Sequence, residues 1–511
     1  MAALSYRLSE KALLICNGFK DEEFVEMGFI AASMGKRVVV VVEGPDELAM
    51  IREASARFPV CPEIGLRLRL YSKGSGKWEK SSGESSKFGL TTIEALHALE
   101  MLEKANLKDK LAMLHFHIGS QITEIKRFKN ALKEASRVYA KVHKMGFAPR
   151  YLNIGGGVGV DYDGSKTSFQ SSANYSLQEF ANDAVYVIGE ICNNENVPCP
   201  DIVTESGRVI AAFHSVVVTD IREVQGASFT DTLDEWDMVL QGDDLPKGVK
   251  ELRYILNNMT RKNYGEFYHD AVEYHEELLT LFNLGYISLR DRALADDLYH
   301  KICNKALYNS SYERHQPEDF QKLQQLMVNK YLANFSIFQS IPDSWSIDQL
   351  FPIMPLSRHE EKPTQKATIV DITCDSDGCI DRFIDRSDVR TVIDLHPPQD
   401  APYYIGFFLV GAYQESLANE HNLFGAINEV EITVNPDGSW QVDKVTNGDP
   451  IDELLECRNY TTKEMVESYR LQFADAQGAG IVDAGLLETY LTRLKEFMQG
   501  YPYLMERAHE E

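Results

Sequence analysis

Six apolar, strand-like runs alternate with amphipathic helical stretches over residues 1–222, and this alternation confines the chain to a parallel α/β array. The runs are Leu13-Leu14-Ile15, Val38 to Val42, Leu66 to Tyr71, Leu111 to Ile118, Tyr151 to Ile154 and Ile202-Val203. Between them Phe128, Leu132, Ala135, Tyr139 and Val142 recur at helical spacing before Gly146. Thr91-x-x-Glu94 and Ser176-x-x-Glu179 read as capping boxes that start helices. A closed parallel barrel needs eight strand-helix units, so about two are wanting, and the first run begins too near Met1 to leave room for them.

The pattern then changes. From about Asp231 to Glu313 helices follow one another without strands, as in Val249 to Asn257, Tyr268 to Leu281 and Ala293 to Tyr308. Strands are expected again in Ala333 to Gln339, Thr368 to Thr373, Tyr404 to Val410 and Val430 to Val434, the last followed by the hairpin turn Asn435-Pro-Asp-Gly438. Thr461 to Tyr503 reads as a helical tail. The expected division is a β/α barrel over 1–225, a helical bundle insertion over 226–325, a β domain over 326–450 and a helical domain over 451–511. Such a length exceeds one ordinary core, and 44% hydrophobic residues suffice to fill several.

Fifty-two basic against 77 acidic residues give a formal charge of −25, which disfavours nucleic acid and anionic membranes and suits a cationic substrate. Eight cysteines without a CxxC pair or secretory signal predict reduced thiols in the cytoplasm. No apolar run approaches the roughly 20 residues of a membrane span.

Three motifs fall where strand-like runs end, the rim on which barrel enzymes build their sites. His115 and His117 lie two apart, so they share a face and either imidazole can lie flat on an aromatic ring. Gly155-Gly156-Gly157 lets backbone N–H groups approach an anion, because no Cβ intervenes. Glu205 and Arg208 offer a carboxylate for a pyridinium proton and a guanidinium for a phosphate. Taken singly, each has a plainer explanation: hydrogen-bonded barrel histidines, a tight turn, a surface ion pair. Taken together they describe a site for pyridoxal 5′-phosphate.

Two further segments need weighing. Gly74-Ser-Gly-Lys77 suggests a nucleotide-binding loop but lacks the full pattern, since Trp78 follows the lysine. Cys374-Asp375-Ser376-Asp377-Gly378 closes an apolar run with a thiol and two acids; EF-hand spacing is absent and a substrate-cation site fits better. Cys374 is either a proton donor or an inert thiol.

The whole chain resembles the biosynthetic, fold-type III arginine decarboxylases. The resemblance rests on Cys16-Asn-Gly-Phe-Lys20-Asp21, Gly74-Ser-Gly-Lys-Trp78, Ser86-Lys-Phe-Gly-Leu90, the HFHIGSQ segment ending at Gln121, Val158-Gly-Val-Asp-Tyr162 and Thr204-Glu-Ser-Gly-Arg208. It continues through Asn334-Phe-Ser-Ile-Phe-Gln-Ser340, Asp371 to Gly378 and Gly406 to Glu415. It implies a TIM-type β/α barrel of the alanine-racemase kind, here incomplete, and conversion of L-arginine to agmatine and carbon dioxide in a polyamine route. His117 would lie against the cofactor ring and Glu205 at its nitrogen. Ser120, Gly155, Gly156, Gly157, Arg208 and Tyr413 would hold the phosphate, with Arg67 near the ring hydroxyl. Cys374 would return a proton to the substrate carbon, and Asp375 with Asp377 would bind the guanidinium. A homodimer or higher homo-oligomer is implied, with Cys374 and Asp375 reaching a neighbouring subunit's site. Magnesium is implied too, without ligands.

Two departures from the family pattern stand out. Family members are longer at the N-terminus and carry their cofactor-binding lysine there, ahead of the position of Met1; Lys20 lies near a strand end but matches a different family position. An inactive, lysine-free relative serving a regulatory or partner-binding role is therefore the alternative. Asn153 stands where the resemblance leads one to expect an aspartate.

Overall fold

The computed structural model describes every residue except 1, 8, 10, 73–85, 227–244, 314–316, 386–387, 400 and 506–511. The glycine-rich segment from Gly74 to Trp78 and the expected start of the helical insertion at Asp231 lie outside the described residues.

Strands β1 (Leu13–Cys16), β2 (Arg37–Val42), β3 (Glu63–Arg67), β4 (Leu111–His115), β5 (Tyr151–Asn153) and β6 (Asp201–Val203) pair in chain order, all parallel. The helices Glu22–Ser33, Pro45–Arg57, Thr92–Lys104, Ile125–Lys144 and Leu177–Glu195 fall between or beside them. This is the expected array, an open six-stranded half of a β/α barrel whose edges are β1 and β6. The inner strands β2 to β5 are buried on both faces, which is why runs such as Val38 to Val42 read as unbroken apolar segments, while the edge strands β1 and β6 are partly exposed. On β2, Val38, Val40 and Val42 pack into the cluster that includes the helices, while Val39 and Val41 join Met113 and Tyr151 on the opposite face. Thr91 and Glu94 make the full reciprocal cap; Ser176 accepts from the N–H of Glu179 at 3.1 Å.

Two expected strands are displaced. The third is Glu63–Arg67, not Leu66 to Tyr71, because the chain beyond Arg67 leaves the sheet and bridges only Leu68 to Leu90. The fourth ends at His115, short of Ile118.

A second sheet of seven strands follows. β7 (Val216–Gln225), β8 (Asn329–Ala333), β9 (Ile353–Pro355), β10 (Gln365–Val370), β11 (Cys379–Ile380), β14 (Ile393–Leu395) and β15 (Tyr404–Phe408) form it, in the order β11-β10-β8-β7-β15-β9 with β14 on β10. β12 (Phe383–Asp385) and β13 (Asp388–Arg390) make a separate ladder. Val216–Gln225 falls within the 1–225 segment by sequence, but pairs antiparallel with β8 and β15 in this second sheet. Ala333 to Gln339 is not one strand: β8 stops at Ala333 and Ile337–Ser340 is a helical turn, whose first N–H donates to Asp371 Oδ2 at 2.9 Å.

Helices Lys247–Asn258, Tyr264–Asn283, Leu289–Ser310 and Glu318–Leu326 pack around Leu252, Leu278, Leu298 and Ile302 as a core of their own. β16 (Glu429–Val434) and β17 (Trp440–Thr446) form the expected hairpin, with Gly438 at φ +83° in its turn. Thr462–Gly478 and Leu487–Met498 make up the helical tail.

Candidate active site

Side chains alternate across a strand, so residues two apart share a face. Val41, Met113 and Tyr151 are buried together on the inner face of the parallel sheet. Continuing that parity by two places the polar side chains Glu43, His115 and Asn153 at the C-terminal ends of β2, β4 and β5. Arg67 joins them, since register pairs it with His115 and His115 with Asn153. Asn17 and Glu205 extend the same alternation just past β1 and β6. One polar layer thus caps an apolar inner face.

Glu205 lies at its centre. Asn17 Nδ2 donates to both its oxygens, at 2.7 and 2.9 Å, and Asn153 Nδ2 donates to Oε1 at 2.6 Å. Burial pushes this carboxyl up, but the nearby His115, the two amides and His117 outweigh it and hold Glu205 below the ordinary glutamate value. It is an ionised carboxylate at neutral pH. Glu205 is exposed at the rim, with both its oxygens on amide donors.

The two histidines share this face, as their spacing predicts, and both act on Glu205. His115 is 1% exposed, and burial, against the pull of Glu205, depresses it to about 4. His117 is likewise depressed, first by burial and then by the Arg67 guanidinium. Its Nδ1 accepts the N–H of Gly156 at 3.2 Å, which requires that nitrogen to be bare. The ring is therefore a neutral imidazole.

The triple glycine is demanded by close packing of three loops. A Cβ on Gly155 would lie 2.4 Å from the carbonyl oxygen of Phe116, on Gly156 2.6 Å from that of Glu205, and on Gly157 2.2 Å from that of Gly119. Gly155 and Gly157 also have φ of +67° and +93°, where side chains are strained. Beyond this turn Arg208 donates to Tyr162 Oη at 3.0 Å and to Ser120 Oγ at 3.5 Å, and its guanidinium lies 4.9 Å from the ring centre of Tyr413. Ser120, Arg208 and Tyr413, drawn from three distant segments, therefore meet in one place.

Arg67 is engaged at once by Glu43, whose two oxygens each accept at 3.0 Å, and its guanidinium stands 4.9 Å from the centre of the Phe88 ring. Lys20 does not reach the mouth. Its Nζ donates to Gly18 O at 2.5 Å, to Val41 O and to Glu47 Oε2 at 3.2 Å, and its side chain is wholly buried.

Cys374, Asp375 and Asp377 form a second group, on the loop between β10 and β11. Asp371 ties the loop down by accepting from the backbone N–H and hydroxyl of Thr373. Asp375 Oδ2 lies 2.9 Å from His421 Nε2, and Asp377 Oδ2 accepts from Trp345 Nε1 at 3.2 Å; the Cys374 thiol is free and exposed. A buried pair links the two groups: Gln414, next to Tyr413, donates to Asp343 Oδ2 at 2.9 Å and accepts the Asp343 N–H at 3.1 Å. Asp343 and Trp345 share the short helix Pro342–Ser346.

The sequence comparisons agree with this geometry. Residues 1–212 match the pyridoxal-binding domain of pyridoxal-dependent decarboxylases, and residues 242–324 match the arginine decarboxylase helical bundle domain. The biosynthetic arginine decarboxylase of Deinococcus radiodurans is 42% identical over 501 residues, spanning 98% of this chain and 75% of the relative.

The chain belongs to the biosynthetic arginine decarboxylase family.

A crystal structure of the Campylobacter jejuni member superposes with a TM-score of 0.82 at 36% identity, covering 99% of this chain and 80% of that one. A diaminopimelate decarboxylase from Helicobacter pylori shares the fold, with a TM-score of 0.53 at 15% identity over 88% and 78%. Biosynthetic arginine decarboxylases thus frame what the residues do, and four contributors had no role assigned from sequence alone. Asn17 and Tyr162 lie inside the motifs that carry the family resemblance; Glu43 directly follows the valine run of β2, an acid at a strand end; Asn153 stands out in the sequence only as a departure from the family pattern.

The cofactor implied by this family is pyridoxal 5′-phosphate, and the donor set fits it. A carboxylate held ionised suits a protonated ring nitrogen, a neutral imidazole suits a ring face, and Arg208 with two hydroxyl-bearing neighbours suits a phosphate beside the glycine turn.

Proposed function

We propose that this chain decarboxylates L-arginine to agmatine and carbon dioxide with pyridoxal 5′-phosphate, the entry to a polyamine route. The observation that carries the reading is the convergence of His117, Gly156, Glu205 and Arg208, from the segments that follow three different strands, on one end of the parallel sheet. Bound there, pyridoxal phosphate supplies an electron-withdrawing ring that accepts the charge left when the carboxylate departs.

Each residue then has a task. Glu205 keeps a proton on the ring nitrogen, and the amides of Asn17 and Asn153 keep Glu205 charged. His117 would lie against the ring face as a neutral imidazole, and Arg67 would stand near the ring hydroxyl, with Glu43 balancing its charge. Ser120, Arg208, Tyr413 and the turn Gly155 to Gly157 receive the phosphate, the turn being held in shape by the N–H of Gly155 on Asn153 and that of Gly156 on His117. The Cys374 thiol delivers the proton that replaces the lost carboxylate, and Asp375 with Asp377 receives the forked guanidinium of arginine.

The enzyme works as a homodimer or higher oligomer, with Cys374 and Asp375 serving a neighbouring subunit's site. This reading accounts for a free, exposed thiol on a loop braced away from the sheet. The working divisions are the barrel over 1–225, less the strand Val216–Gln225 that joins the second sheet, the bundle over 226–325, the β domain over 326–450 and the tail over 451–511. A cytoplasmic setting accords with eight free cysteines, and no helix among the described residues is long and apolar enough to cross a membrane. For magnesium no ligands are assigned: among the described residues no group of three or more His, Cys, Asp or Glu is placed to hold a metal ion. The test is release of carbon dioxide and agmatine from L-arginine with added pyridoxal 5′-phosphate. Catalysis that proceeds equally with Glu205→Ala would overturn it.

A further inference from the structure

Asn153 is fully buried on β5, in register with His115 on one side and Val203 on the other. Its two amide atoms face different parts of the site. Oδ1 accepts the backbone N–H of Gly155 at 2.9 Å, and Nδ2 donates to Glu205 Oε1 at 2.6 Å, with the Met113 sulfur 3.8 Å away. The partners fix the orientation, because an N–H must meet the oxygen and a carboxylate must meet the nitrogen.

We propose that Asn153 is a positioning residue that locks the carboxylate of Glu205 to the glycine turn, so that the group meeting the ring nitrogen and the backbone meeting the phosphate keep one fixed separation. The proposal rests on the cofactor reading of Glu205 and Gly155 to Gly157. Only an amide does this in all protonation states of its neighbours. Leucine, of similar size, offers neither bond. Aspartate accepts from Gly155 equally well, but turns an oxygen toward Glu205, and two carboxylates in contact cannot both ionise cheaply. An aspartate here reproduces the lock only while it holds a proton to donate.

The surroundings make this sharp. The other donor to Glu205 is the Asn17 amide; the titratable groups facing it are His115 and His117, both depressed by burial, and Arg67 acts on both rings. The lock is therefore built from neutral donors, and the group an added negative charge would meet is His115, which also bonds the Asn153 side chain and is itself depressed by burial.

The test compares wild type, Asn153→Asp and Asn153→Leu in the 511-residue chain, first without ligand. A proton shared between Asp and Glu205 has a folded pKa above that of an unfolded carboxyl, so the stability it supports is present at low pH and lost as pH rises through the folded value. Asn153→Asp should melt within about 2 °C of wild type at pH near 5.5 and fall several degrees below it by about pH 8. Asn153→Leu should be lowered alike at both. The second readout is affinity for pyridoxal 5′-phosphate by fluorescence titration. Relative to wild type, Asn153→Asp should bind within about threefold at the lower pH and about tenfold or more weakly at the higher. A melting offset of Asn153→Asp that does not change with pH, or equal melting of the two variants at the lower pH, overturns the lock. A wild-type chain that binds no pyridoxal phosphate while the pH-dependent offset persists overturns the cofactor reading and the positioning role with it, leaving the Asn153–Glu205 bond as a structural tie.

Discussion

His115 and Glu205 face each other across the end of the parallel sheet with their charges coupled: burial holds the imidazole neutral, while the carboxylate pulls it toward protonation. The histidine has the lower folded pKa, about 4 against an ordinary 6.5, so the unfolded chain takes up its proton first on acidification. Stability is then complete above about pH 6.5 and is lost as pH falls toward 4, by up to roughly 3 kcal/mol from this residue. Urea midpoints of wild type should decline across that window more steeply than those of His115→Asn. Parallel declines would show that the ring does not titrate as its burial requires.

A methyl group at Gly156 would stand 2.6 Å from a backbone oxygen that has no side chain to swing aside, whereas at Gly164, φ +72°, nothing lies within 4 Å. The second position costs only left-handed strain, about 1 kcal/mol. Gly156→Ala must instead push the Glu205 backbone, and should cost more than about 2 kcal/mol and weaken pyridoxal phosphate binding at least tenfold. Urea midpoints and fluorescence titrations on the two alanine variants separate strain from collision; Gly156→Ala no worse than Gly164→Ala counts against the packing of these loops.

Much of this was legible beforehand because doubly buried strands leave nothing but apolar residues to read, as in Val38 to Val42. The same signal misleads where apolar side chains continue past the last ladder bond. Leu68 and Leu70 are buried in the same core cluster as the strand residues, so β3 reads as longer and later than it is, and Ile337 and Phe338 are buried on a helical turn rather than a strand. The β-branched run of β7 announces a strand without saying which sheet receives it; its partners lie more than 100 residues downstream. In the site, charged or unusual residues were visible one by one. The amides were not, since an asparagine between two carriers of chemistry shows its purpose only when both its atoms have found partners.

Lys20 offers a direct contrast with a lysine that does chemistry. All three of its donors are taken by Gly18 O, Val41 O and Glu47, and burial raises the Glu47 carboxyl against the pull of the lysine. Removing one partner of a buried pair strands the other. Lys20→Ala should therefore destabilise the fold by about 3 kcal/mol or more. Lys20→Ala with Glu47→Gln should recover part of the loss. Equal urea midpoints for Lys20→Ala and wild type would contradict the observed burial.

The acidic loop should separate recognition from turnover. Asp375 is steadied by His421, whose ring packs 4.4 Å from the centre of Phe338, and Asp377 by Trp345, so both carboxylates are held in place before any guanidinium arrives. Losing one charged hydrogen-bonding partner of a cation is worth about 1.5–3 kcal/mol. Asp375→Asn should thus raise KM for L-arginine by roughly tenfold to a hundredfold while leaving pyridoxal phosphate affinity as it was. Cys374 is a free, exposed thiol, so Cys374→Ala should leave KM and stability near wild type and lower kcat, because only the proton delivered after carbon dioxide departs is lost. Steady-state kinetics of the two variants, with cofactor titrations alongside, distinguish the roles. An Asp375→Asn enzyme with unchanged KM, or a Cys374→Ala enzyme with unchanged kcat and product, would remove that residue from the reaction.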